Sequence, residues 1–343
     1  MRNLSVGGIQ RLAVDDVNEL ARRGNEVWVI TLEPELSPES SLKRALNIPS
    51  TNIILMPYPR FRNIKSFFTL IHALRAIRPD VLMTHQWFAN TVGRLTALFA
   101  SVPTVLSFEH STDEARKPLV QLFIDYILQY ACHRVVAVSE AVGDSLLRQG
   151  ISRAHVRVVE NGINLAVYRG GYTRRAGNQF VYIGRLVADK NVDVLLRAFQ
   201  KVPDASLEIV GDGPERERLV TLAEELALAN RVHFSGIVIN SIDVLRKAYC
   251  LILPSKREGF GLVALEALAS GVPVIVSEVV AQHGFVRDGE NGLVVKTGDV
   301  GALAQAVHRM ANDTALVSRL AATAPRGLER FSIEAHVDKI LAL

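Results

Sequence analysis

The sequence predicts an α/β protein of two doubly wound parallel sheets in tandem, one built from each half of the chain. Three observations carry this. Short apolar runs alternate with helical stretches twice over, once up to about residue 159 and again from residue 180. Strand runs such as VVAV at 135–138 are apolar throughout, so both faces need cover, which helices on either side of a parallel sheet provide. Between the two series the pattern breaks at Asn161-Gly162, and 168–178 is rich in glycine and arginine. The expected organisation is an N-terminal domain over 1–165, a linker over 166–178, a C-terminal domain over 179–331 and a final helix over 332–343. At 343 residues the chain is long enough for two domains of common size.

The first series opens with a glycine turn at Gly7-Gly8 and a helix over 10–23, whose apolar face is Leu12, Val14, Val17, Leu20 and Ala21. A strand follows over 26–31. A turn feeding such a helix normally follows a strand, and the six residues ahead of Gly7 do not read as one. Strand 52–56, helix 64–78, strand 81–84 ending at His85, and helix 91–99 come next. Strand 104–108 ends at Glu109-His110, helix 118–131 and strand 135–138 follow, Ser139 caps a helix running to Arg148, and strand 156–159 closes the series. The second series reads as strand 180–183, helix 192–199, strand 206–210, helix 215–227, strand 232–235, helix 242–248 and strand 250–253. Two wound sheets in tandem imply a cleft, with ligands beyond the carboxyl ends of the strands.

With 49% hydrophobic and 22% charged residues, the composition is that of a globular protein. No apolar run reaches the roughly eighteen residues needed to cross a bilayer, and no leader pattern precedes the first helix, so a cytoplasmic location is expected. Cys132 and Cys250 sit in apolar contexts and read as core thiols of a reducing compartment. The net charge of +4 is small, but no acid occurs between Ser40 and Pro79 while Lys43, Arg44, Arg60, Arg62, Lys65, Arg75 and Arg78 are basic. Mixed with Phe67, Phe68, Leu70, Ile71 and Leu74, these suit a peripheral contact with anionic membrane through 60–78. A packing helix with solvated arginines is the other reading of the same stretch. No basic patch with stacking aromatics points to nucleic acid.

The stretch PSKREGFGLVALEALASGVPVIVS, from residue 254, reads as loop, helix and buried strand in quick succession. Gly259 and Gly261 stand where a helix should begin, and Gly271 with Pro273 stops it, giving a helix over about 261–270. The unpaired N–H groups at such a start favour an anion, and glycine lets a phosphate or sugar hydroxyl approach the amides of Phe260, Gly261 and Leu262. Glu258 and Glu266 then face one ligand from different heights. Arg185 and Lys190 follow Gly184 after the first strand of the second domain, and two cations there suit a diphosphate. His85 and His110 both fall at the carboxyl end of a first-domain strand, where a site in this architecture is built. No Asp-x-Asp and no histidine–cysteine spacing of a metal site occurs, so no metal is expected.

GRLVADKN at 184–191, EGFGLVALE at 258–266, VSEAVGDSLL from Val138, ENGIN from Glu160 and DGENGLVV from Asp288 together resemble the GT4 family of retaining glycosyltransferases of the GT-B fold. The resemblance runs almost end to end. It implies a nucleotide-sugar donor, UDP- or GDP-linked and with no further cofactor, held mainly by the second domain. On that likeness Arg185 and Lys190 bind the diphosphate, Glu266 the ribose, and Glu258 with the 260–262 amides, including that of Leu262, the sugar. Gly7 and Gly8 approach the donor phosphates, the backbone of Gly236, Ile237 and Val238 reads the base, and His110 faces the reacting sugar with His85 beside it. The implied activity is metal-independent transfer of a hexose or related sugar to a glycan or lipid-linked acceptor in surface polysaccharide or glycolipid synthesis. A sugar-nucleotide epimerase on the same fold and a non-catalytic nucleotide-sugar-binding subunit are the alternatives. The chain departs from the family in lacking an apolar strand before the glycine pair, in Asn164 where aspartate is common, and in a C-terminal helix that stops early.

Overall fold

The computed structural model describes residues 1–33, 41–56, 64–112, 118–169 and 178–343. These form two compact units, 1–162 with 333–343, and 163–332. Arg60, Arg62 and the expected linker residues 170–177 lie outside the described residues.

The first unit runs α1 (Gly8–Arg22), β1 (Val29–Thr31), β2 (Ile53–Leu55), α2 (Ile64–Ile77), β3 (Val81–His85), α3 (Trp87–Ala100), β4 (Thr104–Glu109), α4 (Leu119–Leu128), β5 (Arg134–Ala137), α5 (Glu140–Arg148) and β6 (Val156–Val158). Strands β3-β4-β5-β6 form one parallel sheet, and β1-β2 form a separate parallel pair. Ser139 caps α5 as expected, its hydroxyl accepting from the Val142 amide. Leu106, Phe108, Val136 and Val159 make the core of the larger sheet.

The second unit runs α6 (Leu165–Tyr168), β7 (Gln179–Ile183), α7 (Val192–Gln200), β8 (Ser206–Val210), α8 (Arg216–Glu225), β9 (Val232–Gly236), α9 (Ser241–Leu245), β10 (Cys250–Leu253), α10 (Leu262–Ala269), β11 (Val274–Ser277), α11 (Glu278–Ala281), β12 (Gly292–Val295), α12 (Val300–Asn312) and α13 (Thr314–Thr323). Its six strands are all parallel in the order β12-β11-β10-β7-β8-β9. The run 165–168, expected to fall largely in the linker, instead buries Leu165 and Tyr168 in α6, which packs on α10. Phe180, Phe199 and Tyr249 meet edge to face in the core, with centroids 5.7 Å apart in both pairs.

The final helix, α14 (Ile333–Leu341), belongs to the first unit and packs along α1. Arg23 holds both sides of that contact, 2.7 Å from Glu19 and 2.5 Å from Asp338. Between these helices lies a buried pair, His336 Nε2 3.3 Å from Asp16. Burial pulls the His336 pKa down, but the Asp16 carboxylate and the Glu160 carbonyl outweigh it and leave it raised.

The strand expected over 26–31 is ordered as a strand only from Val29, because a strand persists where it has a ladder partner and β2 offers just three residues. Its other side meets the chain start. Met1 donates its amine to the Ile30 carbonyl at 3.0 Å and accepts from the Leu32 amide at 3.1 Å, which is one rung of a parallel ladder. Beyond that rung a cavity of about 600 Å³ is lined by Val29, Ile30, Leu70, Leu74, Leu82 and Ile340 among others. Burial lowers the Met1 amine pKa to about 6.

Candidate functional site

The direction in which the second sheet is wound reverses between β7 and β10, although every strand stays parallel. From β7 the order proceeds to β8 and β9 on one side, then crosses to β10, β11 and β12 on the other. The loops leaving two such strands diverge, so their carboxyl ends frame a crevice. The loop after β7 carries Gly184, Arg185 and Lys190, and the loop after β10 carries Glu258 and Gly259 and leads into α10.

Side chains tie these loops together. Lys190 Nζ lies 2.5 Å from Glu258 Oε2, which also accepts from the Ser255 hydroxyl at 3.0 Å. Ser255 is fully buried, and its carbonyl accepts from Ser277 Oγ at 2.7 Å. Asp189 adds a second tie, its carbonyl accepting from the Lys256 amide and its carboxylate from Arg257, both at 2.7 Å. Asn191, in a left-handed conformation with φ 51°, donates to the Pro254 carbonyl at 3.2 Å. Lys190 and Glu258 are each mostly buried, so their attraction is screened less than a surface pair's. Arg185 remains exposed on the same loop, and its carbonyl accepts from the Tyr182 hydroxyl at 3.0 Å.

Helix α10 begins as expected, with Gly261 at its N-cap and φ 90°, a conformation that disfavours side chains. The Phe260 ring turns inward against His283, Phe285 and Phe331, which leaves its backbone for the turn. Glu266, one turn into α10, is buried and accepts from Ser241 Oγ at 2.8 Å. At the ends of β7, β8 and β9 the backbone is bare: Gly184 N donates to the Val210 carbonyl at 3.0 Å, and Gly211 N to the Gly236 carbonyl at 2.7 Å. Gly211 packs so closely on the Gly184 carbonyl that no Cβ fits. Gly236 opens the turn to Ile237 and Val238, and a Cβ there would meet nothing within 4 Å. Ser241 and Ser255 did not stand out in the sequence, and Gly211 and Gly213 read there only as a turn. A serine is common, and only the fold reveals which carboxylate it holds.

In the first unit, His85 at the end of β3 and His110 just after β4 are neighbours, with Nδ1 of one 3.1 Å from Nε2 of the other and both rings stacked near Phe108. Burial drives both down: His110 to about 3 and His85 well below its ordinary value, with each also feeling nearby histidine charge. Both are neutral near pH 7, so one nitrogen of the pair donates and the other accepts. Gly7 caps α1 in an extended conformation that any residue adopts, and Gly8 is its first residue. Among the described residues no cluster of histidine, cysteine, aspartate and glutamate could hold a metal ion, and both cysteines are free and buried.

The chain matches the family model "Glycosyltransferase Family 4" over residues 6–167 and "Glycosyl transferases group 1" over 173–326. It is 30% identical to the lipopolysaccharide core biosynthesis glycosyltransferase LpsE of Rhizobium meliloti (strain 1021), covering 98% of this chain and 95% of that one. The chain belongs to the GT4-type glycosyltransferases. It is also 26% identical to the D-inositol 3-phosphate glycosyltransferase of Rhodococcus jostii (strain RHA1), over 98% of this chain and 83% of the relative. In structure it resembles Anabaena Alr3699/HepE in complex with UDP and glucose, with TM-score 0.87 and 19% identity over 100% of this chain and 97% of that one. The lipopolysaccharide outer core galactosyltransferase WaaB gives TM-score 0.71 and 18% identity over 99% and 96%. These likenesses show the GT-B fold, as the sequence led us to expect.

The histidine pair of this glycosyltransferase has a pH signature. A pKa lowered in the folded state means that the unfolded chain binds more protons once the pH falls below about 6.5, so stability is lost from there downward. His110→Gln removes one such group. Its melting temperature is expected to fall less steeply than that of the unaltered protein between pH 6.5 and the His110 value of about 3, as calorimetry at a series of pH values would show.

Proposed function

We propose that this glycosyltransferase moves a sugar from a UDP- or GDP-linked donor to a glycan or lipid-linked acceptor, with retention at the anomeric carbon and without a metal ion. The observation that carries this reading is the Lys190–Glu258 pair, 2.5 Å apart where the β7 and β10 loops diverge, with an exposed Arg185 on one loop and the start of α10 on the other. Cations and helix amides at one crevice are what a departing diphosphate needs, since negative charge develops on it as the glycosyl bond breaks. That two protein cations are available supports catalysis in which no metal neutralises the leaving group. The LpsE and HepE likenesses support a surface-glycan product and a UDP-linked donor.

In this reading Arg185 and Lys190 take the diphosphate, Glu258 and the 260–262 amides the sugar, and Glu266, held by Ser241, the ribose hydroxyls. The bare backbone at Gly236, Ile237 and Val238 reads the base, Gly7 and Gly8 admit the phosphates, and His110 with His85 serves the acceptor side. The acceptor oxygen attacks the anomeric carbon on the face the phosphate leaves. The carbon–oxygen bond to phosphate breaks with its electron pair on the phosphate oxygen, which takes the acceptor's proton. A lipid-linked acceptor would bring the protein to a membrane surface, and the basic residues Lys65, Arg75 and Arg78, all exposed on or just after α2, support peripheral contact through 60–78. No helix among the described residues is long and apolar enough to cross a membrane.

Lys190→Ala and Glu258→Ala are each expected to lower turnover on the order of a hundredfold with melting retained. The product is expected to keep the donor's anomeric configuration by proton NMR, at a rate insensitive to EDTA. Unchanged turnover in both variants, or conversion of the donor with no acceptor present, would overturn the proposal.

A further inference from the structure

Helix α4 is built inside out. Its polar residues face the protein: Asp125 is buried and paired with the buried Arg94 of α3 at 2.7 Å, and the fully buried Gln129, just after the helix, accepts from the Ser152 amide at 2.7 Å. Its outer face is apolar, with Leu119 at 84%, Val120 at 70% and Phe123 at 63% exposure, Tyr126 and Ile127 about half exposed, and Tyr130 just after the helix at 68%, while Leu128 turns inward. These positions share one face at helical spacing. The buried ion pair fixes that orientation, because turning α4 over would leave the Arg94 charge in the core without its carboxylate.

The exposed apolar surface does not stop at α4. Leu98, on the last turn of α3, and Tyr130 line one hollow, and Leu98 and Phe99 are both exposed. Phe67 of α2 meets Phe99 edge to face at 6.0 Å and Phe68 at 6.0 Å, and Phe68 and Ile64 are exposed. The part of α2 that the sequence offered for membrane contact is thus divided: Leu70, Ile71 and Leu74 go into the core, and only its edge joins this surface. Across α2, α3 and α4 the single carboxylate is the buried Asp125, while Lys65, His72 and Arg75 are exposed. Arg75 sits at the border of the apolar patch, donating to the Phe99 carbonyl at 2.9 Å.

We propose that this face, with α4 at its centre, enters an anionic lipid bilayer, Phe123, Tyr126, Tyr130 and Leu119 passing below the headgroups and Lys65, Arg75 and Arg78 meeting them. Among the described residues of α2, α3 and α4 no carboxylate is exposed; such a surface with a basic border complements anionic headgroups, and tyrosines place an apolar ring beneath and a hydroxyl at the level of water. Apolar area plus charge is the combination on which interfacial binding depends. The inference builds on the membrane contact proposed above and moves its apolar part from α2 to α4.

The test uses the full chain and vesicles of equal parts phosphatidylglycerol and phosphatidylcholine. The protein is expected to float with these vesicles and not with phosphatidylcholine alone. Phe123→Ser combined with Tyr126→Ser and Tyr130→Ser should weaken binding about tenfold or more, with soluble-acceptor turnover unchanged. In Phe123→Trp, the new indole should be quenched by brominated lipid above the background of Trp28 and Trp87. Reversing Lys65, Arg75 and Arg78 to glutamate tests the electrostatic contact separately: loss here with retention in the serine triple variant would leave that contact standing and discard insertion by α4. Absence of quenching, or burial of the indole in a dimer that forms without vesicles, would equally overturn the proposal.

Discussion

The divergence of two neighbouring parallel strands is the constraint on which the site depends. Because β7 and β10 pair side by side while their following helices leave in different directions, two loops far apart in sequence end on one edge. That alone would leave an open crevice with mobile walls. The contact between Lys190 and Glu258 closes it into a defined arrangement across 68 residues of chain. Asp189 with Arg257 and Asn191 with Pro254 repeat the connection at either side.

The pair is held from beneath as well as across. Glu258 rests on Ser255, Ser255 on Ser277, and Ser277 ends the neighbouring strand β11. A carboxylate fixed by a buried hydroxyl loses little freedom when a ligand arrives, which is the physical content of preorganisation. Close glycine contacts at the ends of β7 and β8 serve the same end from the other side, since Gly211 against Gly184 keeps backbone rather than side chain at the strand ends. In the first unit a neutral histidine pair lies at the ends of β3 and β4.

Much of this was legible in the residues, for reasons that can be named. Strands such as 250–253 and 206–210 are apolar runs bounded by turn residues, and they match β10 and β8. Gly261 marked the start of α10 because a left-handed cap needs glycine. Other elements escaped. Helix α3 begins at Trp87, four residues before its expected start, because Asn90 is held by the Phe108 carbonyl and the Glu109 carboxylate, contacts supplied by β4 and invisible locally. Helix 215–227 ends early, at Glu225, with Ala227 turned to φ 56°. The stretch after β11, with α12, α13 and β12, offered motifs but was not resolved into elements. For the site, residue type and strand-end position were readable, whereas the serines that hold Glu258 and Glu266 became visible only once the loops were folded together.

The most direct test of this account is calorimetric titration of UDP and GDP into the unaltered protein and into Arg185→Ala and Lys190→Ala. The account predicts saturable binding of at least one nucleoside diphosphate, weakened at least about tenfold in each variant, in line with loss of a charge-assisted hydrogen bond, with melting curves otherwise unchanged. Equal affinity in all three proteins would contradict it, because the diphosphate would then be held somewhere other than between the β7 and β10 loops.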